Sequence, residues 1–197
     1  VACNLRFHPC ISYLKEIIQK EQIRINEVTV YCGSYLPDWR PNKNFRDVYS
    51  AHKSMGGGVH LDLIHEIDYT TWILGFPSEY ASTLRSVSSL NIDAIDYANY
   101  NLRYDSFNVN INLNYFRRDP KRQLEIVHEH GTLITDLIKN EIRNDKNEVV
   151  FENNDYSYLD TYKVQLGYFI NCLKNGIQPM NSFADSLENL KICLQNE

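Results

Sequence analysis

The sequence has no apolar run approaching the roughly 20 residues that cross a bilayer, so a membrane span is not expected. It also lacks an excess of positive charge: 20 basic against 25 acidic side chains leave a formal net charge of -5, which argues against nucleic acid as a partner. Cysteine is sparse. Cys3, Cys10, Cys32, Cys172 and Cys193 form an odd set with no CxxC pair, the usage of reduced, mostly buried thiols in a cytoplasmic protein. No G-x-G-x-x-G follows a strand pattern, so a dinucleotide fingerprint is missing. The opening "VACNLRFHPC" lacks the charged-then-apolar order of a signal peptide. Repeats and low-complexity segments are absent as well.

What is present fits one packed domain over residues 1–197, 43% hydrophobic and 23% charged. The first residues, from Val1, read as the middle of a strand, so the chain is expected to be a fragment of something longer. A helix follows over Pro9 to Gln19, with Ile11, Leu14, Ile17 and Ile18 on one face. "EVTVYCGSYL" (27–36) is strand-like, and residues 37–55, with two prolines and mixed charges, read as a long loop of the kind that often carries function. Three glycines then open one helix running to about Leu74, stopped by Gly75 and Pro77.

Beyond it the periodicity changes to two. Strands are expected at 79–87, 97–104 and 107–116; in the last, Val109, Ile111, Leu113 and Tyr115 alternate with Asn108, Asn110, Asn112 and Asn114. Hairpins are expected at 123–138, turning near Gly131, and at 141–151, turning at "NDKN". Two helices close the chain. One, Tyr158 to Lys174, carries Leu159, Tyr162, Leu166, Phe169, Ile170 and Leu173 at helical spacing; the other, capped by Ser182, carries Phe183, Leu187, Leu190 and Leu194. The fold class is α+β: a large, mostly antiparallel β-sheet with helices packed on one face.

The stretch "GGGVHLDLIHEIDYTTWILG" (56–75) concentrates the chemistry. As one continuous helix it directs Leu63, Ile64, Ile67, Thr71 and Leu74 to the core, and Asp62, His65, Glu66, Tyr69, Trp72 and Ile73 to the opposite arc. Asp62 and His65 are i,i+3 neighbours, within reach of each other. The plain reading of that arc is a solvated face, but Trp72 is too large to leave in water and calls for cover from this chain, a second subunit or a missing domain. Glycines at a helix start also offer free N–H groups to an anion or substrate.

"LRFHP", the linker "WRPNKNFRDVYSAHKSMGGG" and "DLIHEIDYTTWILG" together closely resemble the C-terminal domain of the glucose-fructose oxidoreductase / inositol dehydrogenase family. The resemblance is dense from Val1 to about Pro77. It implies a parent enzyme that uses NAD or NADP to oxidise or reduce a sugar, amino sugar or cyclitol, of the type found in surface-polysaccharide pathways. It implies an N-terminal Rossmann domain missing from this chain, which alone binds no cofactor, and a homodimer or higher homo-oligomer formed through the sheet. On the same ground His65 is the catalytic acid or base and Asp62 orients its imidazole, with Glu66 or Asp68 as substitutes, because many members space the pair D-x-x-x-H rather than D-x-x-H. Arg40, Arg46, Tyr49 and Lys53 take the positions of substrate-contacting groups, each also readable as solvated loop, and Arg6, at the domain junction, approaches the cofactor or the substrate. The family's catalytic lysine, in E-K-P, is expected just ahead of Val1.

Two rival readings stay open. In one, His60, Asp62, His65 and Glu66, joined by His128 and His130, hold a metal for a hydrolase; yet the spacing of His60 and His65 is poor beside H-E-x-x-H. In the other, the domain is a dimerisation or binding module without catalysis.

Overall fold

The computed structural model describes residues 2–194. Val1, where the strand reading of the opening began, lies outside them. Asn4–Phe7 is a 3₁₀ turn and not a strand, with Asn4, Leu5 and Arg6 buried. Helix α1 (Pro9–Glu21) follows; Pro9 opens its first turn, the His8 ring accepts from the Cys10 amide, and Gln22 ends it in a left-handed conformation.

The sheet has eight strands: β1 (Ile25–Tyr35), β2 (Glu79–Arg85), β3 (Tyr97–Arg103), β4 (Asn108–Asn114), β5 (Phe116–His128), β6 (Gly131–Asp136), β7 (Glu141–Asn144) and β8 (Val149–Glu152). Their order is β2-β3-β4-β1-β5-β6-β7-β8. Both expected hairpins form, and one feature was not expected. β1 lies parallel to β4 (Val28 beside Val109, Val30 beside Ile111) and antiparallel to β5, so it splits the meander. Its alternating Val28, Val30 and Cys32 are the reason, since a strand that buries this much apolar surface belongs in the middle of a sheet. β5 is longer than the sequence suggested and includes "RRDPKR". Pro120, which has no N–H for the ladder, falls where the β1–β5 register shifts between Gly33 and Tyr35.

One sheet face is apolar: Val28, Val30, Tyr100, Ile111, Leu113, Leu124 and Ile126 are all buried, and the helices pack there. Across the other, asparagines of β3 and β4 hydrogen-bond in a ladder, Asn99 to Asn110 at 3.2 Å and Asn110 to Asn101 at 2.9 Å. Asn114 ends that row differently, buried and donating to the Tyr31 hydroxyl at 2.7 Å.

The single helix expected from the glycines to Leu74 is two. α2 (Val59–Asp62) ends where Leu63 steps out of helical geometry (φ -109, ψ 28) and buries its side chain, and α3 (His65–Leu74) restarts after Ile64. The expected polar outer arc is likewise corrected. Glu66, Asp68, Tyr69 and Ile73 are buried, because α3 runs through the interior between the N-terminal turn, α1 and the last helix. This chain itself covers Trp72: the Lys15 ammonium sits 4.4 Å from its ring centroid. The glycines serve the fold locally. A Cβ at Gly57 would stand 2.0 Å from the Tyr49 carbonyl oxygen, so only glycine lets the linker lie against the start of α2.

Helices α4 (Asp160–Asn175) and α5 (Phe183–Cys193) form as expected, and Ser182 and Asp185 make a capping box for α5. Their apolar stripes do not face the core. α4 turns Thr161 and Cys172 inward and leaves Leu159, Tyr162, Leu166, Phe169, Ile170 and Leu173 exposed. It packs on the N-terminal turn rather than the sheet, where Thr161 accepts from Asn4 (2.8 Å) and Tyr168 meets Phe7. α5 likewise buries Asn189, Ile192 and Cys193 while Phe183 and Leu187 stay exposed. The five cysteines are buried and unbonded to one another. Among the described residues no helix is long and apolar enough to cross a membrane.

Candidate functional site

The break between α2 and α3 opens a cavity of ≈ 450 Å³ bounded by the end of β1, the basic part of β5 and the start of α4. His65, Asp62, Trp39, Lys121, Arg122 and Tyr158 are in its wall. His65 reaches it as the first residue of α3. Its ring is largely buried and its Nδ1 has no hydrogen-bond partner. Burial holds its pKa below the usual imidazole range; Arg122 adds to this, while Glu66 and Asp68 pull the other way. Burial therefore favours the neutral form of the ring.

Asp62 is fixed by phenols, not by the imidazole. Tyr49 donates to one carboxylate oxygen at 2.8 Å and Tyr115 to the other at 2.6 Å. Burial, then Asp62 itself, pushes both phenol pKa values up, which keeps each hydroxyl a donor. Trp39 stands edge-on to Tyr115 with ring centroids 5.3 Å apart, and its indole N–H donates to Ser34 at 2.8 Å. The expected Asp62–His65 pairing is thus corrected. The proposed substitutes are also committed elsewhere. Glu66 accepts from Arg122 Nε at 2.6 Å, and Asp68 accepts from Arg6 at 2.9 and 2.7 Å and from Asn189 at 3.0 Å.

Of the linker residues, Tyr49 reaches the site through Asp62, and the Arg40 guanidinium lies behind it, 5.4 Å from the Tyr49 ring centroid; neither is in the cavity wall. The Arg46 side chain and the Lys53 backbone meet another segment. Arg46 donates to the Leu90 carbonyl at 2.9 Å, and the Lys53 amide donates to Asp93 at 3.2 Å. Arg6 is buried, with Asp68 and the Met180 carbonyl taking its nitrogens (Met180 at 3.0 Å), apart from the cavity of His65. His60 is fully buried beside Gly58, and His128 and His130 meet edge-on at the β5–β6 hairpin. Among the described residues no group of three or more His, Cys, Asp or Glu side chains is placed to hold a metal ion.

The sequence reading did not single out four of the wall and support residues: Tyr115, Trp39, Lys121 and Arg122. Tyr115 carried a usable signal, because a tyrosine on a strand's core face must find a partner for its hydroxyl. Arg122 carried none, since its partner Glu66 lies 56 residues away.

The model of the GFO/IDH/MocA C-terminal domain matches residues 11–134. No curated protein matches the chain. Solved structures with this fold include levoglucosan dehydrogenase in complex with NADH and levoglucosan, 18% identical, with a TM-score of 0.82 and covering 98% of this chain and 61% of that one. UDP-N-acetylglucosamine 3-dehydrogenase GnnA from Acidithiobacillus ferrooxidans is 18% identical, with a TM-score of 0.74 over 98% of this chain and 58% of that one. The WlbA dehydrogenase from Bordetella pertussis, in complex with NADH and UDP-GlcNAcA, is 19% identical, with a TM-score of 0.72 over 98% and 59%. The chain thus spans less than two thirds of the solved structures it resembles.

Proposed function

Because this chain belongs to the GFO/IDH/MocA family as a C-terminal domain, we propose that it is the substrate-binding domain of an NAD(P)-dependent oxidoreductase acting on a hydroxyl of a sugar, amino sugar or cyclitol. The observation that carries this reading is His65, which lies in the wall of the cavity and whose pKa burial lowers, favouring the neutral imidazole. A general base must be unprotonated before it takes a proton, and burial favours that form here. The cavity's volume falls in the range of small-molecule sites. The solved neighbours named for sugar substrates support the class of substrate.

His65 takes the proton of the reacting hydroxyl. The Asp62 carboxylate, held in place by Tyr49 and Tyr115, has lone pairs left to accept from a neighbouring hydroxyl and so orients the ring of the substrate. Arg40 and Tyr49 stand on the linker side; Arg46 and Lys53 contribute by fixing the linker they belong to. The described residues do not suit a dinucleotide. Among the described residues the one parallel pair, β1 and β4, is connected through α2, α3 and the antiparallel β2 and β3 rather than by a single crossover helix, and the linker backbone occupies the space beside Gly57 while the His60 ring occupies that beside Gly58. This supports the reading that cofactor binding belongs to a nucleotide-binding domain outside these residues.

The asparagine ladder is the face for homodimerisation, a surface satisfied by hydrogen bonds rather than by apolar burial. A monomer by light scattering at high concentration would refute that part. The function itself is tested by joining the chain to its nucleotide-binding domain and following NAD and NADP reduction over a panel of sugars, amino sugars and cyclitols. Turnover of at least one class is expected; no turnover with any, despite cofactor binding, would overturn the reading.

A further inference from the structure

Arg122 carries more donors than the protein uses. A guanidinium has five N–H groups, one on Nε and the others on the two Nη nitrogens. Only the Nε–H is taken, by Glu66 at 2.6 Å. Nη2 is buried without a partner, and Nη1, which is not enclosed, has none among the described residues either. A guanidinium taken out of water normally spends its fork on carboxylate or phosphate oxygens, because each idle donor forfeits the hydrogen bond that water gave it.

Three observations say what the idle donors meet. First, Arg122 is in the wall of the His65 cavity, on β5 beside Cys32 of β1. Second, the one carboxylate of that wall is already engaged: Asp62 accepts from Tyr49 and Tyr115, and among the described residues it pairs with no cation. Third, Lys121, the other cation of the wall, has its ammonium 5.2 Å from the ring centroid of Tyr31, a residue outside the wall. A neutral sugar pressed against Arg122 would strip water from a charge and return only a hydroxyl oxygen. An oxyanion returns a charge and a pair of acceptors matched to the fork. We propose that Arg122 selects a substrate bearing an oxyanion, a carboxylate or a phosphate ester on the sugar or cyclitol, with Glu66 orienting the guanidinium. This rests on the function proposed above.

The competing reading makes Arg122 only the counter-charge of Glu66. That role needs a cation beside the carboxylate and no open fork. The two readings separate on Arg122→Lys, which keeps the charge beside Glu66 and gives up the planar fork. A second variant, Arg122→Gln with Glu66→Gln, removes both charges together, so no buried charge is left alone to unfold the domain.

The test uses the protein with its nucleotide-binding domain and extends the panel above. Each neutral compound is compared with its carboxylate and its phosphate ester, glucose with glucuronate and glucose 6-phosphate among them. Calorimetric titration reads binding, and kcat/KM reads turnover. One anion is expected to be favoured over its neutral parent by roughly 10–100-fold, the range of a hydrogen bond to a charged group. Which anion is favoured distinguishes the carboxylate from the phosphate. Arg122→Lys and the double variant are each expected to lose most of that preference, while Lys121→Gln keeps it. No preference in the wild-type protein would overturn the proposal and, with turnover of any neutral compound, leave the proposed function standing. A preference that survives in both Arg122 variants, or that is lost with Lys121→Gln alone, would overturn it too. Selective binding of an anion with no turnover would uphold the proposal and count against the function.

Discussion

Glu66→Gln isolates the most consequential charge in the interior. Glu66 is fully buried, and its partner Arg122 has 18% of its side chain exposed. The two meet at 2.6 Å across 56 residues, tying α3 to β5 directly behind the cavity. The substitution keeps shape and leaves an amide oxygen to accept from Nε, so what it removes is the anion. Breaking a buried pair from one side costs about 3–5 kcal/mol, because a guanidinium is left desolvated and unpaired. The retained hydrogen bond places this variant near the lower end, roughly 3 kcal/mol, or a drop in Tm of roughly 6–12 °C for a domain of this size. Circular dichroism during urea and thermal unfolding reads the loss. Replacing both partners by apolar residues, Glu66→Leu with Arg122→Met, is expected to recover most of it. The same change reaches the site. Glu66 raises the His65 pKa against burial, so Glu66→Gln is expected to lower it further, seen by NMR titration of the ring. Stability within about 0.5 kcal/mol of wild type would refute the reasoning and mean that the Arg122 charge is hydrated through the cavity.

Acid sensitivity follows from His8, buried at the start of α1, whose pKa burial lowers to about 4. The unfolded ring charges near pH 6.5 and the folded ring does not, so stability is complete above that pH and is lost as pH falls toward 4, by roughly 3 kcal/mol. Urea midpoints at neutral and acid pH check this, and His8→Asn, which keeps an acceptor for the Cys10 amide, is expected to flatten the dependence. Tyr115→Phe removes one of two donors to Asp62 and is expected to cost roughly 1.5–3 kcal/mol, with loss of turnover exceeding any change in cofactor affinity; an unchanged enzyme would remove Tyr115 from the site. Calorimetric titration of this chain alone with NAD and NADP is expected to show no binding, and micromolar affinity would contradict the assignment of the cofactor to another domain.

Most of the sheet was legible because period-two alternation is a local signal. "FNVNINLNYF" gave both the buried and the polar face of β4. The parallel seat of β1 was not legible, since pairing partners across 80 residues leave no mark on either strand. Helical wheels misled where a helix does not pack on the main core. α4 has a strong apolar stripe and turns it outward, while α3 carries Glu66 and Asp68 in the interior because Arg122 and Arg6 meet them there. In the candidate site, the motif placed His65 and Asp62 in one cavity wall, but continuous-helix spacing paired them wrongly. The break at Leu63 and two tyrosines from distant elements decide what Asp62 touches.

The central claim is that His65 moves the substrate proton in a domain that does not itself hold the cofactor. Its most direct measurement is His65→Gln in the protein with its nucleotide-binding domain, comparing turnover with NAD(P) affinity. The account predicts turnover lower by roughly 10²–10⁴-fold, the usual contribution of a positioned acid or base, with cofactor affinity unchanged. Turnover within a few-fold of wild type would contradict it and reduce His65 to a structural residue.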